Sequence, residues 1–254
     1  VWKRAGERPK VLAVEVAQPR PEGVRRSVRS TLPRVESYNY TTFTVYGSGY
    51  IVVEVHYEAG RDDLPELPRF GMSMTLPGSF NDLEWYGRGP HASYWDRKTG
   101  AAIGRYRGPV WDQFHRYTRP QETGNKTNVR WLALRDENGS GLLAVGLPEL
   151  SASAWEFPVD EIEFDPIDDP TREIIVPASQ RHGAEIRRHD LVTLNLDYRQ
   201  MGVGGDTSWG ALTHAEYTLT DDEYRFRFRL RPIAADDDAA GLARLTLEDP
   251  GPWR

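Results

Sequence analysis

Cysteine is absent from the 254 residues. That excludes disulfides, thiolate zinc sites and cysteine catalysis. No apolar run approaches the ~20 residues a membrane helix needs, and no signal-type apolar stretch opens the chain. A membrane is therefore not an expected partner, and a cytoplasmic location is the expectation. Concentrated positive charge is missing too. The net charge is −6, and only Arg25, Arg26 and Arg29 cluster. Without a basic stripe backed by stacked aromatics, nucleic acid is not expected either. Also lacking are heptads, a sustained helical period, internal repeats and the strand–helix alternation that builds an α/β barrel. His56, His91, His115, His182, His189 and His214 never fall at i, i+2 or i, i+4, so no metal site is expected. Asp236-Asp237-Asp238 reads as a solvated linker and Asp168-Asp169 as a loop feature.

What is present is a rich supply of strand formers, including 8 Trp and 12 Tyr. Short strands are expected at Lys10–Val16, ending before Pro19 and Pro21, and at Val24–Leu32. Tyr38–Tyr46 and Tyr50–Tyr57 form the clearest pair, joined by Gly47-Ser48-Gly49 as a hairpin loop. Arg69–Leu76 and Leu83–Tyr86 follow. From His91 to Asn128 strand signals fade, and a long irregular segment of this kind usually carries function. Val129–Leu134 and Gly141–Leu147 flank Asn138-Gly139, a strong hairpin signal. An edge strand is expected at Ser151–Glu156, an acidic, Pro-broken stretch at Phe164–Pro177, and a strand at Val192–Leu196. A last hairpin joins His214–Leu219 to Tyr224–Leu230. The spacing predicts an all-β fold, a large antiparallel sandwich. It spans residues 1–233, followed over 234–254 by an acidic linker and a C-terminal strand or tail.

Met201-Gly-Val-Gly-Gly-Asp-Thr-Ser-Trp-Gly210 is the most unusual stretch. Its glycines permit torsions a β-carbon forbids, and Asp206, Thr207 and Ser208 can bond a turning backbone. Trp209 then has two readings. It is either the filler of a core beneath a Gly-rich hairpin or a flat ring on a stiff loop. Such a ring suits the apolar face of a sugar. Among the other tryptophans, Trp85, Trp131 and Trp155 fit a core, whereas Trp95 and Trp111 lie in the irregular segment and fit a rim. Candidate acids are Glu122, which could pair with Arg119 or Arg130, and Asp206, which could bond amides of its own turn. His115 lies in the irregular segment, and Glu122 or Asp206 could serve as its carboxylate partner.

Four blocks carry a family resemblance. They are Leu67-Pro-Arg-Phe-Gly71; Trp85-Tyr-Gly-Arg-Gly-Pro90 with Tyr94-Trp-Asp-Arg97; Tyr117–Trp131 around Pro120-Gln-Glu-Thr-Gly-Asn125; and Met201–Gly210. In order and spacing the chain resembles the C-terminal, small-chain domain of glycoside hydrolase family 2 β-galactosidases. The resemblance implies a β-supersandwich of the galactose-mutarotase type and a galactoside substrate such as lactose. It implies catalytic glutamates on a separate barrel domain, and magnesium and sodium held by other domains. It also implies that Trp209 stacks on the sugar in the leaving-group subsite, with Asp206, Glu122 and His115 as further substrate-binding candidates. The partners would be the remaining domains or a large subunit in an oligomeric enzyme. No catalytic pair is assigned here, and the chain alone is expected to be inactive. The alternative is a stand-alone carbohydrate-binding or mutarotase-like domain. The chain departs from the family in two places. A segment usual before Trp2-Lys-Arg-Ala-Gly6 is missing, and Ala92-Ser93 stands where Glu-Asn is common.

Overall fold

The computed structural model describes residues 2–117, 122–162, 183, 186–207 and 209–247. The expected Phe164–Pro177 stretch therefore lies outside the described residues.

Eleven strands run in chain order. They are β1 (Lys10–Arg20), β2 (Gly23–Leu32), β3 (Ser37–Tyr46), β4 (Ile51–Glu58), β5 (Arg69–Pro77), β6 (Asp82–Gly89), β7 (Ala102–Pro109), β8 (Lys126–Arg135), β9 (Gly141–Trp155), β10 (Leu191–Gln200) and β11 (Glu223–Ile233). All pair antiparallel, in the order β1-β2-β3-β4-β11-β9-β8-β6-β7, and β10 joins the C-terminal half of β9 to β5. The all-β antiparallel expectation is what the chain adopts.

Alternation explains how two layers form. In β11, Tyr224, Phe226 and Phe228 turn inward while Arg225 and Arg227 stay outside. Phe70 of β5 packs 5.4 Å from Tyr224 and 5.3 Å from Phe226, ring to ring. The β5–β10 pair thus lies over the face of β4 and β11. Between them sits one large core that includes Val53, Trp85, Leu134, Leu194, Leu196 and Phe228. A short helix, α1 (Ala239–Arg244), covers the opposite face over Trp131, Leu143, Val145 and Ile233. Asp238 caps it by accepting from the Ala240 amide. Of the strand or tail expected from Leu242, the described residues show a helix end and then coil through 247.

Four other differences have physical causes. β1 runs past Pro19 to Arg20 because it is an edge strand paired only with β2 and irregular between Ala17 and Arg20, where a missing N–H is tolerated. β7 lies inside the segment expected to be irregular. Its glycines and arginines mask a strand, and it is the charged edge next to β6. Ser151–Trp155 is interior, the end of β9. Pro148 sits at a register irregularity with β8 and so does not end the strand. His214–Leu219 forms no hairpin. It holds a 3-10 turn at Ala215–Tyr217, and β11 pairs instead with β4 and β9.

Candidate functional site

β10 is buried on both faces. Val192, Leu194 and Leu196 face the sandwich core. Thr193, Asn195 and Asp197 face the other way and are also buried. Thr193 donates to the Phe157 carbonyl (2.9 Å), and the Asn195 amide donates to Ser153 Oγ (3.0 Å). Asp197, 2% exposed, accepts a forked pair of bonds from Arg69 of the neighbouring β5. The Nε and Nη2 distances are 3.2 and 2.6 Å. Close strand approach makes room for this, since a Cβ on Gly71 would lie 1.9 Å from Asp197 Oδ1 and 2.6 Å from its Cα. Gly71→Ala is expected to cost about 1–3 kcal/mol, read as a lower urea midpoint with an unchanged slope.

The same guanidinium reaches Glu122, at 3.5 Å from Nη1. Glu122 thus pairs with Arg69 of the first block. Arg130 goes to Glu149 at 2.8 Å instead, and Arg119 lies outside the described residues. Two carboxyl groups share one cation, Asp197 buried and Glu122 and Arg69 partly so. Burial pushes both above the usual carboxylate range, Arg69 pulls both back, and Asp197 further raises Glu122. Burial and the neighbouring Glu122 likewise raise the Tyr94 phenol. The Thr123 carbonyl accepts from the Trp155 indole (2.9 Å), and the Thr123 hydroxyl is tied to the backbone of His115. Ser93, one of the two departures from the family pattern, is fully buried, with its Oγ accepting from the Thr127 amide (3.0 Å).

The Gly-rich stretch begins directly beyond this cluster. Gln200 is opposite Arg69 in the β5–β10 ladder, and the Met201 amide donates to the Pro68 carbonyl (3.0 Å). The next turn is held from the second block. Asp96 Oδ2 accepts from the amides of Val203 (3.1 Å) and Gly204 (3.2 Å). Asp206 does not bond these amides. It meets His214 Nε2 at 3.0 Å on the surface, which raises the His214 pKa through that bond. All four blocks therefore converge: Arg69, Tyr94 with Asp96, Glu122, and residues 201–210.

The loop they support projects outward. Trp209 is 94% exposed and Leu212 87%, so Trp209 is no core filler. Trp85, Trp131 and Trp155 are buried as expected, while Trp95 and Trp111 are half-buried. The structure separates the four sequence candidates. Glu122 lies in the buried cluster, Asp206 and Trp209 on the projecting loop, and the exposed His115 ring against Tyr117. Arg69 and Asp96 lie within the family blocks without being singled out as candidates, and Asp197 is unmarked in the sequence. The one available signal for Asp197 was a carboxylate on the alternate positions of an otherwise buried strand.

Two larger hollows, about 790 and 610 Å³, lie on the outer sheet face and share Glu54, Leu147 and Arg227. None of the cluster or loop residues lines them. The first gathers Arg105, Arg130, Arg227, Arg229 and Arg244 around Glu54; Arg227 pairs with Glu54 at 3.5 Å, and Arg130 with Glu149, outside the lining, at 2.8 Å. This is an ordinary sheet-surface ladder, and the convergent loop is the better candidate site.

The sequence pattern of "Beta galactosidase small chain" matches residues 1–230. The chain belongs to the β-galactosidase small chain family. A β-galactosidase from Priestia megaterium is 39% identical over 233 residues, covering 91% of this chain and 21% of that protein. One from Streptococcus thermophilus is 32% identical, with 91% and 21% covered. The chain thus spans about one fifth of the length of these relatives. Among solved structures, a GH36 α-galactosidase from Geobacillus stearothermophilus shares the fold at 9% identity, with a TM-score of 0.50 over 90% of this chain and 28% of that one. A GalM/aldose epimerase homologue from C. elegans aligns with a TM-score of 0.40, covering 88% and 69%, at 14% identity. No helix among the described residues is long and apolar enough to cross a membrane.

Proposed function

We propose that this small chain is the C-terminal domain of a glycoside hydrolase family 2 β-galactosidase and completes the active site of a separate catalytic domain with Trp209. The observation that carries the reading is the exposure of Trp209, 94%, on a loop whose base is anchored to buried structure. With Leu212 also exposed on the same loop, the ring belongs to a projecting apolar surface suited to being covered, and a sugar face suits it. Leu212, also exposed on that loop, suits contact with the neighbouring domain. Along β1, Val11, Leu12, Val14 and Val16 are exposed, a second surface suited to assembly.

Retaining hydrolysis needs two carboxyl groups about 5 Å apart with access to substrate. Asp197 is engaged by Arg69 and buried, so Glu122 and Asp197 serve as a structural pair in this reading. Magnesium and sodium belong with the other domains. Among the described residues no three of His, Asp and Glu converge on a metal position.

β-Galactoside hydrolysis should be measured with this chain alone and after mixing with the remainder of its enzyme. Activity is expected only in the mixture. Hydrolysis by the chain alone would overturn the division of labour and make Glu122 and Asp197 the first residues to replace. Silence in both would favour a carbohydrate-binding module.

A further inference from the structure

We infer that Asp96 is the positioning residue for Trp209, holding the projecting loop through its first turn. The inference rests on the reading of Trp209 given above and adds the residue that sets its ring in place.

The Gly-rich loop is long, exposed and poor in apolar contacts of its own, so it would sample many conformations if left to itself. Its order has to come from its base. Asp96 is suited to this because its side chain is 5% exposed, and a carboxylate accepting backbone N–H groups in a dry setting makes strong, short-range bonds. Its Oδ2 takes three donors: the Val203 amide at 3.1 Å, the Gly204 amide at 3.2 Å and Arg97 Nη1 at 2.7 Å. Two glycines are fitted around the clasp. A Cβ on Gly202 would lie 2.8 Å from Asp96 Cγ, and one on Gly204 would lie 2.7 Å from Arg97 Nη2. The returning arm of the loop is pinned to the same place. Thr213 Oγ1 donates to the Gly202 carbonyl (3.0 Å), and the Gly202 amide donates to the Tyr217 carbonyl (2.8 Å).

Trp95, the preceding residue, packs edge-on against Tyr217 with ring centroids 5.8 Å apart, and Arg199 lies 4.2 Å over its face. The triplet Trp95-Asp96-Arg97 therefore grips both arms between which Trp209 projects. Among the described residues, Asp96 is the carboxylate that receives amides of this loop. Asp206, on the loop itself, is engaged with His214.

Two measurements test this. The first is hydrogen exchange on the 254-residue chain. The Val203 and Gly204 amides should exchange at least ten-fold faster in Asp96→Ala, with core amides of β9 unchanged. Asp96→Asn, which keeps an acceptor oxygen, should fall between. The second is a double-mutant cycle in the complete enzyme. Asp96→Ala should weaken leaving-group sugar binding in the wild-type background. It should have less than a two-fold effect once Trp209 is Ala. Unchanged exchange in both Asp96 variants overturns the inference. So does an Asp96→Ala effect that persists undiminished without Trp209. If core amides lose protection in Asp96→Ala, the Asp96→Asn comparison decides. Should Trp209→Ala have no effect while the exchange result holds, the reading of Trp209 fails and the clasp stands.

Discussion

Arg69→Met is expected to destabilise the fold by about 3–5 kcal/mol at neutral pH, the cost of leaving buried carboxylates without their cation. The methionine fills similar volume, so packing contributes little. The loss arises because Asp197 and Glu122 both depend on this guanidinium, at 2.6 and 3.5 Å. For a chain of this length that corresponds to a fall in Tm on the order of 10 °C. Adding Asp197→Asn to the variant should recover part of the loss, because one fewer charge then needs a partner.

The pH dependence has a definite sign. Burial raises both carboxyl groups in the folded chain. Between the ordinary carboxylate pKa and the raised value, the fold binds more protons than the unfolded chain. Their contribution is fully present below the unfolded pKa and declines as pH rises through the folded value. Removing Arg69 lifts both groups further and extends that window upward. The penalty of Arg69→Met should therefore be smaller at pH 5 than at pH 8, measured by urea titration at each. A penalty independent of pH would show that the pair is not what Arg69 stabilises.

In the complete enzyme, Trp209→Ala is expected to weaken binding of the leaving-group or acceptor sugar roughly 5- to 30-fold. This is about 1–2 kcal/mol for a lost stacking surface. Stability of the chain should change by less than about 0.5 kcal/mol, because the side chain is 94% exposed and touches no core. That split is the informative part. A tryptophan doing structural work would lower Tm, whereas one presented to a ligand lowers affinity alone. Trp209→Phe should retain most of the binding, since a flat ring survives. The check is acceptor inhibition and transfer kinetics beside thermal melts of the same proteins. Wild-type affinity in Trp209→Ala would remove the proposed role.

Much of this architecture was legible in the chain. The Gly47-Ser48-Gly49 and Asn138-Gly139 hairpins form where expected, because loop chemistry and flanking alternation are local. The four blocks are also segments that the fold brings into contact, through Arg69 with Glu122 and Asp96 with Val203 and Gly204. Partner choice was less accessible. Arg130, close to Glu122 in sequence, pairs with Glu149, and Glu122 meets Arg69, which β5 delivers beside β10. Asp206 stands inside the Gly-rich turn, yet Asp96 receives its amides. Edge strand β7 was hidden by residues that suit an edge, and the end of β9 by a proline seated at an irregularity.

Alone, the sequence determined the all-β class, most strand positions and the residues that make the 201–210 loop turn. Alternation and turn chemistry act over a few residues and need no fold to be read. Only the tertiary structure decided that Trp209 faces water, that two acids share Arg69 and that Asp96 grips the loop. Those outcomes depend on which strands lie side by side. That choice is made by burial of the whole sandwich core, which no local stretch encodes.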